Sequence, residues 1–382
     1  MKWPVEPLVN VCQIMMGQAP AGTSYNDAEK GVPLVAGAGD FNGTVPKVHK
    51  YTTAPSKVSN VGDIILGIRA SIGEKVWSDQ TYCLGRGVAG LRVKSNLSPW
   101  FLWYWLGLAK KELLSKARGA TFLQVNRKDI ESLQIPLPPL SEQKRIAKIL
   151  DAADALRAKR RESLALLDDL TQSIFLDMFG DPVTNPMGWE MGVIGDLLES
   201  VNYGSSKKAD PESGAYPILR MNNITYSGEW NFKNLKYIDL NEKDVGKYLV
   251  YKGQLLFNRT NSKELVGKTA VYRQEKPMAF AGYLVRGIVN KLADAEYIGT
   301  FMNTPQLKTY LQNKCKNIVG MANINAKEFQ LIPIPKPPLH LQQRFASIVE
   351  SIEKQKERLK AQLSQMDTLF ASLQQRAFQG EL

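Results

Sequence analysis

The chain has 382 residues, enough for two domains of ordinary size and an extended element. Its 49 Lys and Arg residues exceed its 37 Asp and Glu residues, and the resulting charge of +12 suits an anionic partner such as nucleic acid. The three cysteines lie far apart in the sequence and there are two histidines, so composition argues against a disulfide framework, a zinc site and histidine-based catalysis.

The segment from Met1 to Pro20 contains proline and polar residues where a secretory signal would need an apolar core. The apolar run from Trp100 to Ala109 has about ten residues, too few to span a bilayer. We therefore expect a cytoplasmic protein that does not contact a membrane.

The first segment, residues 1 to 133, has the pattern of a mixed α and β domain. Short β-rich runs bounded by glycine predict strands at Pro33–Val35 and within residues 61 to 69. The apolar stretch from Trp100 to Leu114 predicts a helix that packs in the domain core.

The second segment, residues 182 to 332, repeats this pattern weakly. It predicts strands at Pro217–Leu219 and within residues 252 to 259, and a helix from Tyr297 to Asn313. These runs resemble their counterparts in the first segment, whereas the rest of the two segments differs. We therefore expect two related domains that have diverged.

Each segment leads into a stretch that occurs twice, from Asn126 to Asp181 and from Asn325 to Gly380. Proline lacks an N–H group and restricts the residue before it, so the opening Ile-Pro-x-Pro of each copy predicts extended chain. Such a duplication predicts a molecule with two equivalent halves. The copies align without a gap, as in the pairs Pro138 and Pro337, Gln143 and Gln342, and Arg145 and Arg344.

After the prolines, each copy carries apolar residues at alternating steps of four and three positions. This seven-residue rhythm predicts a long helix that packs along one face against a partner helix, as in a coiled coil. Gly180-Asp181-Pro182 predicts the end of the first helix.

Basic residues interrupt the middle of this apolar seam at Arg157, Arg160 and Lys356. One interpretation is an intramolecular helical hairpin with a weak centre, because long basic side chains can cover apolar surface with their stems and still reach water. The other interpretation is a docking surface for another subunit. The sequence leaves both open.

The order of these elements resembles the specificity subunit of type I restriction-modification systems, and the resemblance covers the whole chain. It rests on the twice-repeated Ile-Pro-x-Pro-Pro-Leu-x-x-Gln-x-Arg before each helix. Further specific elements are Leu137 to Gln143, Met178 to Pro182, and Gly253 to Arg259.

The resemblance implies an α+β fold in which two mixed α/β target recognition domains are separated by a long antiparallel two-helix coiled coil, with a pseudo-twofold internal repeat. We expect the first recognition domain at residues 1–137 and the second at residues 182–335. The repeated spacer helices would occupy residues 138–181 and 336–382. The resemblance implies that they lie antiparallel, with Ile146 near the far end of the second helix and Phe345 near the far end of the first.

The resemblance also implies a protein that reads DNA and is not an enzyme. Each recognition domain would bind one half of a split, asymmetric site in double-stranded DNA. Two modification subunits would dock on the helices and carry S-adenosylmethionine, whereas restriction subunits would use ATP and magnesium. This chain itself would bind no cofactor and no metal.

The residues agree with this absence of catalysis. The sequence has neither a phosphate-binding Gly-x-x-x-x-Gly-Lys-Ser/Thr loop nor the Asn/Asp-Pro-Pro-Tyr/Phe run of an amino-methyltransferase. We interpret Gly85-Arg86-Gly87 as a turn rather than a cofactor loop. Two alternatives remain: a coiled-coil scaffold without a nucleic-acid role, and a self-contained DNA enzyme.

DNA contacts are expected from polar and basic side chains in loops, since phosphate contacts position a protein and base-edge contacts specify its site. Arg220 and the loop from Asn258 to Lys263 are preferred, because each follows the end of a predicted strand. The candidates of the second domain are Lys207, Lys208, Arg220, Asn222, Asn223, Asn258, Arg259, Asn261 and Lys263. Those of the first domain are Gln18, Lys47, His49, Lys50, Arg69, Ser71 and the stretch from Arg118 to Thr121.

Overall fold

The computed structural model describes residues 3–119, 123–318 and 321–382, and its contacts divide the chain into two units. The first unit comprises Met1–Arg160 and Gln362–Leu382, and the second comprises Arg161–Ala361. Each unit therefore joins one globular part to portions of both long helices. The domain boundaries expected from the sequence, which separate the helices from the globular segments, stay a prediction.

The first unit contains two four-stranded sheets, with strand orders β10-β4-β7-β3 and β2-β11-β8-β9, and two two-stranded pairs. Its strands are β1 (Val5–Pro7), β2 (Cys12–Met16), β3 (Tyr25–Asn26), β4 (Val32–Val35), β5 (Phe41–Asn42), β6 (Val45–Pro46), β7 (Tyr51–Thr52), β8 (Ile64–Gly67), β9 (Lys75–Trp77), β10 (Cys83–Leu84), β11 (Val88–Val93) and β12 (Gln134–Pro136). Its helices are α1 (Leu8–Val11), α2 (Pro99–Lys116), α3 (Arg127–Glu131) and the first half of α4 (Leu140–Phe179).

The second unit contains two four-stranded sheets, with orders β14-β22-β18-β20 and β16-β15-β21-β17, a three-stranded sheet β19-β24-β23, and the pair β13-β25. Its strands are β13 (Met191–Val193), β14 (Leu198–Tyr203), β15 (Tyr216–Leu219), β16 (Lys236–Ile238), β17 (Leu249–Val250), β18 (Leu255–Asn258), β19 (Thr260–Asn261), β20 (Thr269–Val271), β21 (Met278–Phe280), β22 (Leu284–Val289), β23 (Lys316–Ile318), β24 (Met321–Asn323) and β25 (Pro333–Pro335). Its helices are α5 (Glu242–Tyr248), α6 (Ala295–Asn303), α7 (Pro305–Lys314), α8 (Ala326–Gln330) and much of α9 (Leu339–Gln379).

The predicted fold class is confirmed: two α/β domains carry long helices that pack together. The strands predicted at Pro33–Val35 and Pro217–Leu219 lie in β4 and β15, and the proline-rich openings of the repeated stretches form β12 and β25. The sheets β2-β11-β8-β9 and β14-β22-β18-β20 have the same strand order, which repeats the core of one unit in the other.

One predicted helix is broken in the structure. The stretch from Tyr297 to Asn313 forms two helices, because Pro305 lacks an N–H group and keeps the residue before it out of the helical region. Thr304 then caps the second of these helices, since its Oγ1 accepts a hydrogen bond from Leu307 N (3.4 Å). The Thr-Pro pair was present in the sequence as a signal for this break.

In each unit, the start of one long helix packs against the end of the other, as predicted. Ile146 of α4 shares the core of the first unit with Phe378 of α9, whose ring lies 4.8 Å from that of Phe101. Phe345 of α9 shares the core of the second unit with Phe175 of α4, at a ring distance of 5.6 Å. The two helices are therefore antiparallel within each unit.

Two of the three basic residues that interrupt the seam, Arg157 and Lys356, form ion pairs inside their own units. Arg157 contacts Asp154 (2.6 Å) and Asp367 (2.7 Å), and its guanidinium carbon lies 4.2 Å from the ring centroid of Phe370. Lys356 makes the equivalent pairs in the second unit, as described below. The interpretation as an intramolecular hairpin accounts for these two residues.

The same glutamine fastens each helix to the globular part of its unit. Gln143 Oε1 accepts from Ser98 N (2.8 Å), and Gln143 Nε2 donates to Asn96 O (3.0 Å) and Pro138 O (2.9 Å). Gln342 of the second repeat makes the matching bonds. Its partners are Asp294 N (3.0 Å), Leu292 O (3.5 Å) and Pro337 O (2.8 Å).

No helix in the described ranges combines the length and the apolar character needed to cross a membrane.

Candidate nucleic-acid interface

A turn at Ala281–Tyr283 joins three strand ends of the second unit. Ala281 N donates to Leu219 O (2.9 Å), and Gly282 N donates to Ser205 O (2.8 Å). Tyr283 O accepts from Arg259 N (3.1 Å). These bonds hold the residues that follow β14, β15 and β18 at one edge of the unit, and several of the candidates predicted from the sequence lie there.

Arg259 lies half-exposed at this edge. Its Nε donates to Asn323 Oδ1 (3.4 Å) and its Nη1 to Gly282 O (3.5 Å). Its guanidinium carbon is 5.0 Å from the ring centroid of Tyr203, a side chain that is 42% exposed. Guanidinium is always charged, and such long bonds are weak, so this group can exchange them for a phosphate or a base edge. The sequence did not point to Tyr203 or Asn323 as its neighbours.

Arg220 begins a tight turn after β15. Its Nη2 donates to Asn234 O (2.7 Å), and its backbone N donates to Asn223 Oδ1 (2.9 Å). Asn223 is 2% exposed, and its Nδ2 donates to Asn231 O (2.8 Å). The amide of Asn223 is thus occupied in holding the turn, whereas Asn222 beside it is exposed.

Two buried lysines contact main-chain oxygens of this turn and of the residues that follow it. Lys268 Nζ donates to Met221 O (2.9 Å) and Ile224 O (2.6 Å), and Lys308 Nζ contacts Tyr226 O. Burial lowers the pKa of Lys268, and burial together with the neighbouring Lys268 lowers the pKa of Lys308 to about 8. Lysine charge beneath the turn adds to a positive field that attracts phosphate.

The remaining candidates of the second unit differ in exposure. Lys207, Lys208 and Lys263 are exposed, and Lys207 Nζ lies 2.8 Å from Asp244 Oδ2. Asn261 is half-buried, and its Oδ1 accepts from the N–H of the next residue (2.9 Å). Asn258 is completely buried at the end of β18.

The first unit has the same kind of turn at Gly85–Gly87, as the sequence predicted. Gly85 N donates to Val35 O (2.8 Å), Leu84 O accepts from Gln18 N (2.8 Å), and Gly87 O accepts from Ile68 N (3.0 Å). The turn therefore joins the three strand ends that are equivalent to those joined in the second unit.

This arrangement brings Gln18 and Arg69 close to the turn of the first unit, and both are exposed. It also adds Arg86, an exposed residue at the tip of the turn, which the sequence analysis had treated only as part of a turn. The signal that could have found it is a basic residue between two glycines at the place equivalent to Ala281–Tyr283.

The other candidates of the first unit lie elsewhere. The exposed Lys47, His49 and Lys50 belong to the loop that leads into β7. Ser71 is buried, and Arg118 Nη2 lies 3.2 Å from Asp129 Oδ1. In the stretch from Arg118 to Thr121, residues 120 and 121 lie outside the described residues.

Comparison with known proteins identifies the family. The model of the type I restriction modification DNA specificity domain matches residues 1–166 and 186–366. A relative named for the MjaX restriction enzyme of Methanocaldococcus jannaschii is 40% identical over 164 residues, which cover 42% of this chain and 39% of the relative. The EcoKI specificity subunit of Escherichia coli K12 is 24% identical over 294 residues, or 72% of this chain and 63% of that subunit.

The chain thus spans less than two thirds of the length of these two relatives. Among solved structures, the type I restriction-modification S subunit from M. genitalium is similar with a TM-score of 0.56 at 15% identity. That similarity covers 99% of this chain and 96% of the other, and it supports the fold. The family predicted from the sequence is confirmed: the chain belongs to the DNA specificity subunits of type I restriction-modification systems.

Proposed function

We propose that this chain reads a split, asymmetric DNA site for a type I restriction-modification complex and leaves the chemistry to its partners. The observation that carries the proposal is the turn found in both units, at Gly85–Gly87 and at Ala281–Tyr283, which gathers three strand ends at one edge. Different polar and basic residues stand on the two edges, as expected if each unit reads a different half-site. A scaffold without a nucleic-acid role would not need this arrangement twice.

Within the second unit, we assign direct DNA contacts to Arg220, Asn222 and Arg259, with Lys207 and Lys208 on phosphates. Lys263 and Asn261 extend this surface. The buried amide of Asn223 holds the turn, and neither Asn223 nor the buried Asn258 is assigned a base contact, because a buried amide cannot reach a base edge without unfolding its surroundings.

Within the first unit, Gln18, Arg69 and Arg86 form the corresponding edge, and Lys47 and Lys50 reach phosphates from the neighbouring loop. Ser71 is buried and belongs to the support of this edge. Arginine can fork onto guanine, and amide side chains onto adenine, which gives both edges the groups needed for direct base recognition.

The proposed partners are double-stranded DNA, two modification subunits that dock on the helices, and restriction subunits. An apolar groove of about 310 Å³ on the long helices of the first unit supports the proposal that a modification subunit docks there. It is lined by Leu156 and Leu369, which are 59% and 68% exposed, together with Ala153, Met366 and Leu373. S-adenosylmethionine, ATP and magnesium would belong to those partners, and the complex would act in the cytoplasm.

The test is an exchange of recognition domains. Residues 1 to 133 are replaced by the equivalent segment of a relative with another target, the complex is assembled with its modification subunits, and methylated adenines are mapped by sequencing. One half of the methylated motif should change and the other should stay. As a matched control, exchange of residues 182 to 332 should change the opposite half. A change of both halves in either exchange would contradict the proposal.

A further inference from the structure

The segment between β15 and β16 folds back on itself and reaches the long helices of its own unit. Its tip carries Glu229, whose Oε1 contacts Lys356 and whose Oε2 lies 3.0 Å from Lys360 Nζ. Lys356 is 3% exposed and is also paired with Asp168 of α4 (2.5 Å) and Glu353 of α9 (3.0 Å). A carboxylate of the globular part is thereby tied to α9 by two lysines.

Among the residues of the first unit that the structure describes, the same pairs form without a carboxylate from the globular part. Arg157, the counterpart of Lys356, is paired with Asp154 on its own helix and with Asp367 on the other helix. The cation of the seam is therefore balanced by the helices alone. Because a carboxylate is costly to bury even when it is paired, the added Glu229 is expected to fix something that the helices do not fix by themselves.

The main chain of Glu229 is hydrogen-bonded to the base of the same segment. The backbone N of Thr225 donates to Glu229 O (2.9 Å), and the backbone N of Glu229 donates to Thr225 Oγ1 (2.9 Å). One step further, Asn231 N donates to Asn223 O and Asn223 Nδ2 donates to Asn231 O, both at 2.8 Å. This ladder of bonds is a stiff connection from the tip to the turn that carries Arg220.

The charges around Glu229 favour its ionised form. Burial would raise the pKa of Glu229, but its hydrogen bond and charge interaction with Lys356 outweigh burial and hold that pKa below its ordinary value. Burial would lower the pKa of Lys356, but Glu353, Asp168 and Glu229 outweigh burial and raise it. Both partners therefore stay charged near neutral pH.

We propose that Glu229 is a positioning residue for DNA recognition, whose contacts with Lys356 and Lys360 hold the β15–β16 segment, and with it Arg220, at a set place on the helices. This inference rests on the proposed function. A docked partner that shifts α9 would shift Arg220 with it, so the same contact would carry information from the helices to the reading edge.

The test uses the complete complex and duplexes that carry the motif found by methylation mapping, with each half-site scrambled in turn. Glu229→Gln keeps the size of the side chain and removes its charge. Discrimination against the scrambled half-site of the second unit should fall by about 3-fold to 30-fold, a typical size for coupling through a packed network. Discrimination at the other half-site should stay, and so should the salt dependence of binding, because no phosphate contact is lost.

Two further variants separate positioning from general damage. Glu275→Gln removes a surface ion pair with Lys252 in the same unit and should leave both half-sites unchanged. Lys360→Gln removes one of the two contacts at a side chain that is 48% exposed, and should give a smaller loss in the same direction as Glu229→Gln.

Full discrimination by both Glu229→Gln and Lys360→Gln would overturn the positioning role. Equal losses at the two half-sites would overturn it as well, since they would indicate general destabilisation. A parent complex that ignores scrambling of either half-site would instead refute the proposed function.

Discussion

In the first unit, Trp77 stacks on Trp103 and packs at a tilt against Trp100, where the second unit has smaller or charged side chains. The ring centroid of Trp77 lies 4.7 Å from that of Trp100 and 4.7 Å from that of Trp103. The strand registers of β8 with β9 and of β18 with β20, and the two glutamine contacts, align the units at this place. The aligned pairs are Trp77 with Val271, Trp100 with Glu296, and Trp103 with Gly299.

The smaller residues leave a cavity of about 320 Å³ in the second unit, and ion pairs line it. Glu296 Oε2 lies 2.5 Å from Arg273 Nη2, and Lys356 and Glu229 face the same space. The contact between sheet and helices is thus made differently in the two related units. Aromatic side chains make it in the first unit, and buried charged side chains make it in the second. Aromatic packing tolerates small shifts in angle, whereas buried charges require specific partners.

The two units should differ most in the unfolding free energy that is lost when the cation in the middle of the helix seam is removed. Lys356→Met leaves Asp168, Glu229 and Glu353 facing one another in a poorly solvated place, and should lower the free energy of unfolding by about 3 to 5 kcal/mol. Arg157→Met leaves two carboxylates that are 42% and 45% exposed, and should cost about 1 kcal/mol or less. Urea unfolding at pH 7 measures both losses.

The pH dependence of that loss has a defined sign. Lys356 lowers the pKa values of Asp168 and Glu229 against burial, so both pKa values rise without the lysine. The resulting destabilisation is complete above the raised pKa values and shrinks as the pH falls toward the unfolded ones. The gap between Lys356→Met and the parent should therefore narrow from about pH 7 to about pH 4.5. Equal losses for Lys356→Met and Arg157→Met at pH 7 would show that the two seams are equivalent after all.

Substitution of Gln143 and of Gln342 should lower the unfolding free energy by similar amounts, because the two glutamines make matching bonds. Gln143→Leu and Gln342→Leu each leave a backbone N–H and at least one carbonyl buried without a partner, and each should cost about 2 to 4 kcal/mol of unfolding free energy. Denaturant titration of the two variants checks this, with the exposed Gln134→Leu as control. A large difference between Gln143→Leu and Gln342→Leu would mean that one helix is held to its domain by other contacts.

The two units should use different arginines for the proposed DNA contacts. Arg259→Ala and Arg220→Ala should weaken binding by about 1 to 3 kcal/mol for a base contact, or lower the salt slope by about one for a phosphate contact, and only at the half-site of the second unit. Arg86→Ala should have the same effect at the other half-site. Arg86 is the arginine tested in the first unit because Ile68 occupies the position that Arg259 occupies in the second. Titrations of scrambled duplexes over a range of salt concentrations measure this.

Lys252→Ala is the matched control for these arginines, since it removes one positive charge that is paired with Glu275. Unaltered affinity and salt slope in both Arg259→Ala and Arg220→Ala would remove these residues from the interface.

The sequence predicted the repeated elements well, because heptads, Ile-Pro-x-Pro and glycine-bounded strands are local patterns. It predicted less at the candidate site. An asparagine after a strand looks the same in sequence whether it is exposed, as Asn222 is, or buried, as Asn258 is. The pairing of Glu229 with Lys356 joins residues far apart in the chain, and no local pattern marks it.

The glutamine at the start of each long helix bonds to the globular part it fastens through main-chain atoms: an N–H and a carbonyl at Ser98 and Asn96, and the same groups at Asp294 and Leu292. Its remaining bond goes to the carbonyl of Pro138 or Pro337, just before the helix. Every residue presents a carbonyl, and every residue except proline presents an N–H. The joint is therefore indifferent to which side chains the globular part displays. Exchange of one globular part for another at this joint would therefore keep these bonds while the helices remain as they are.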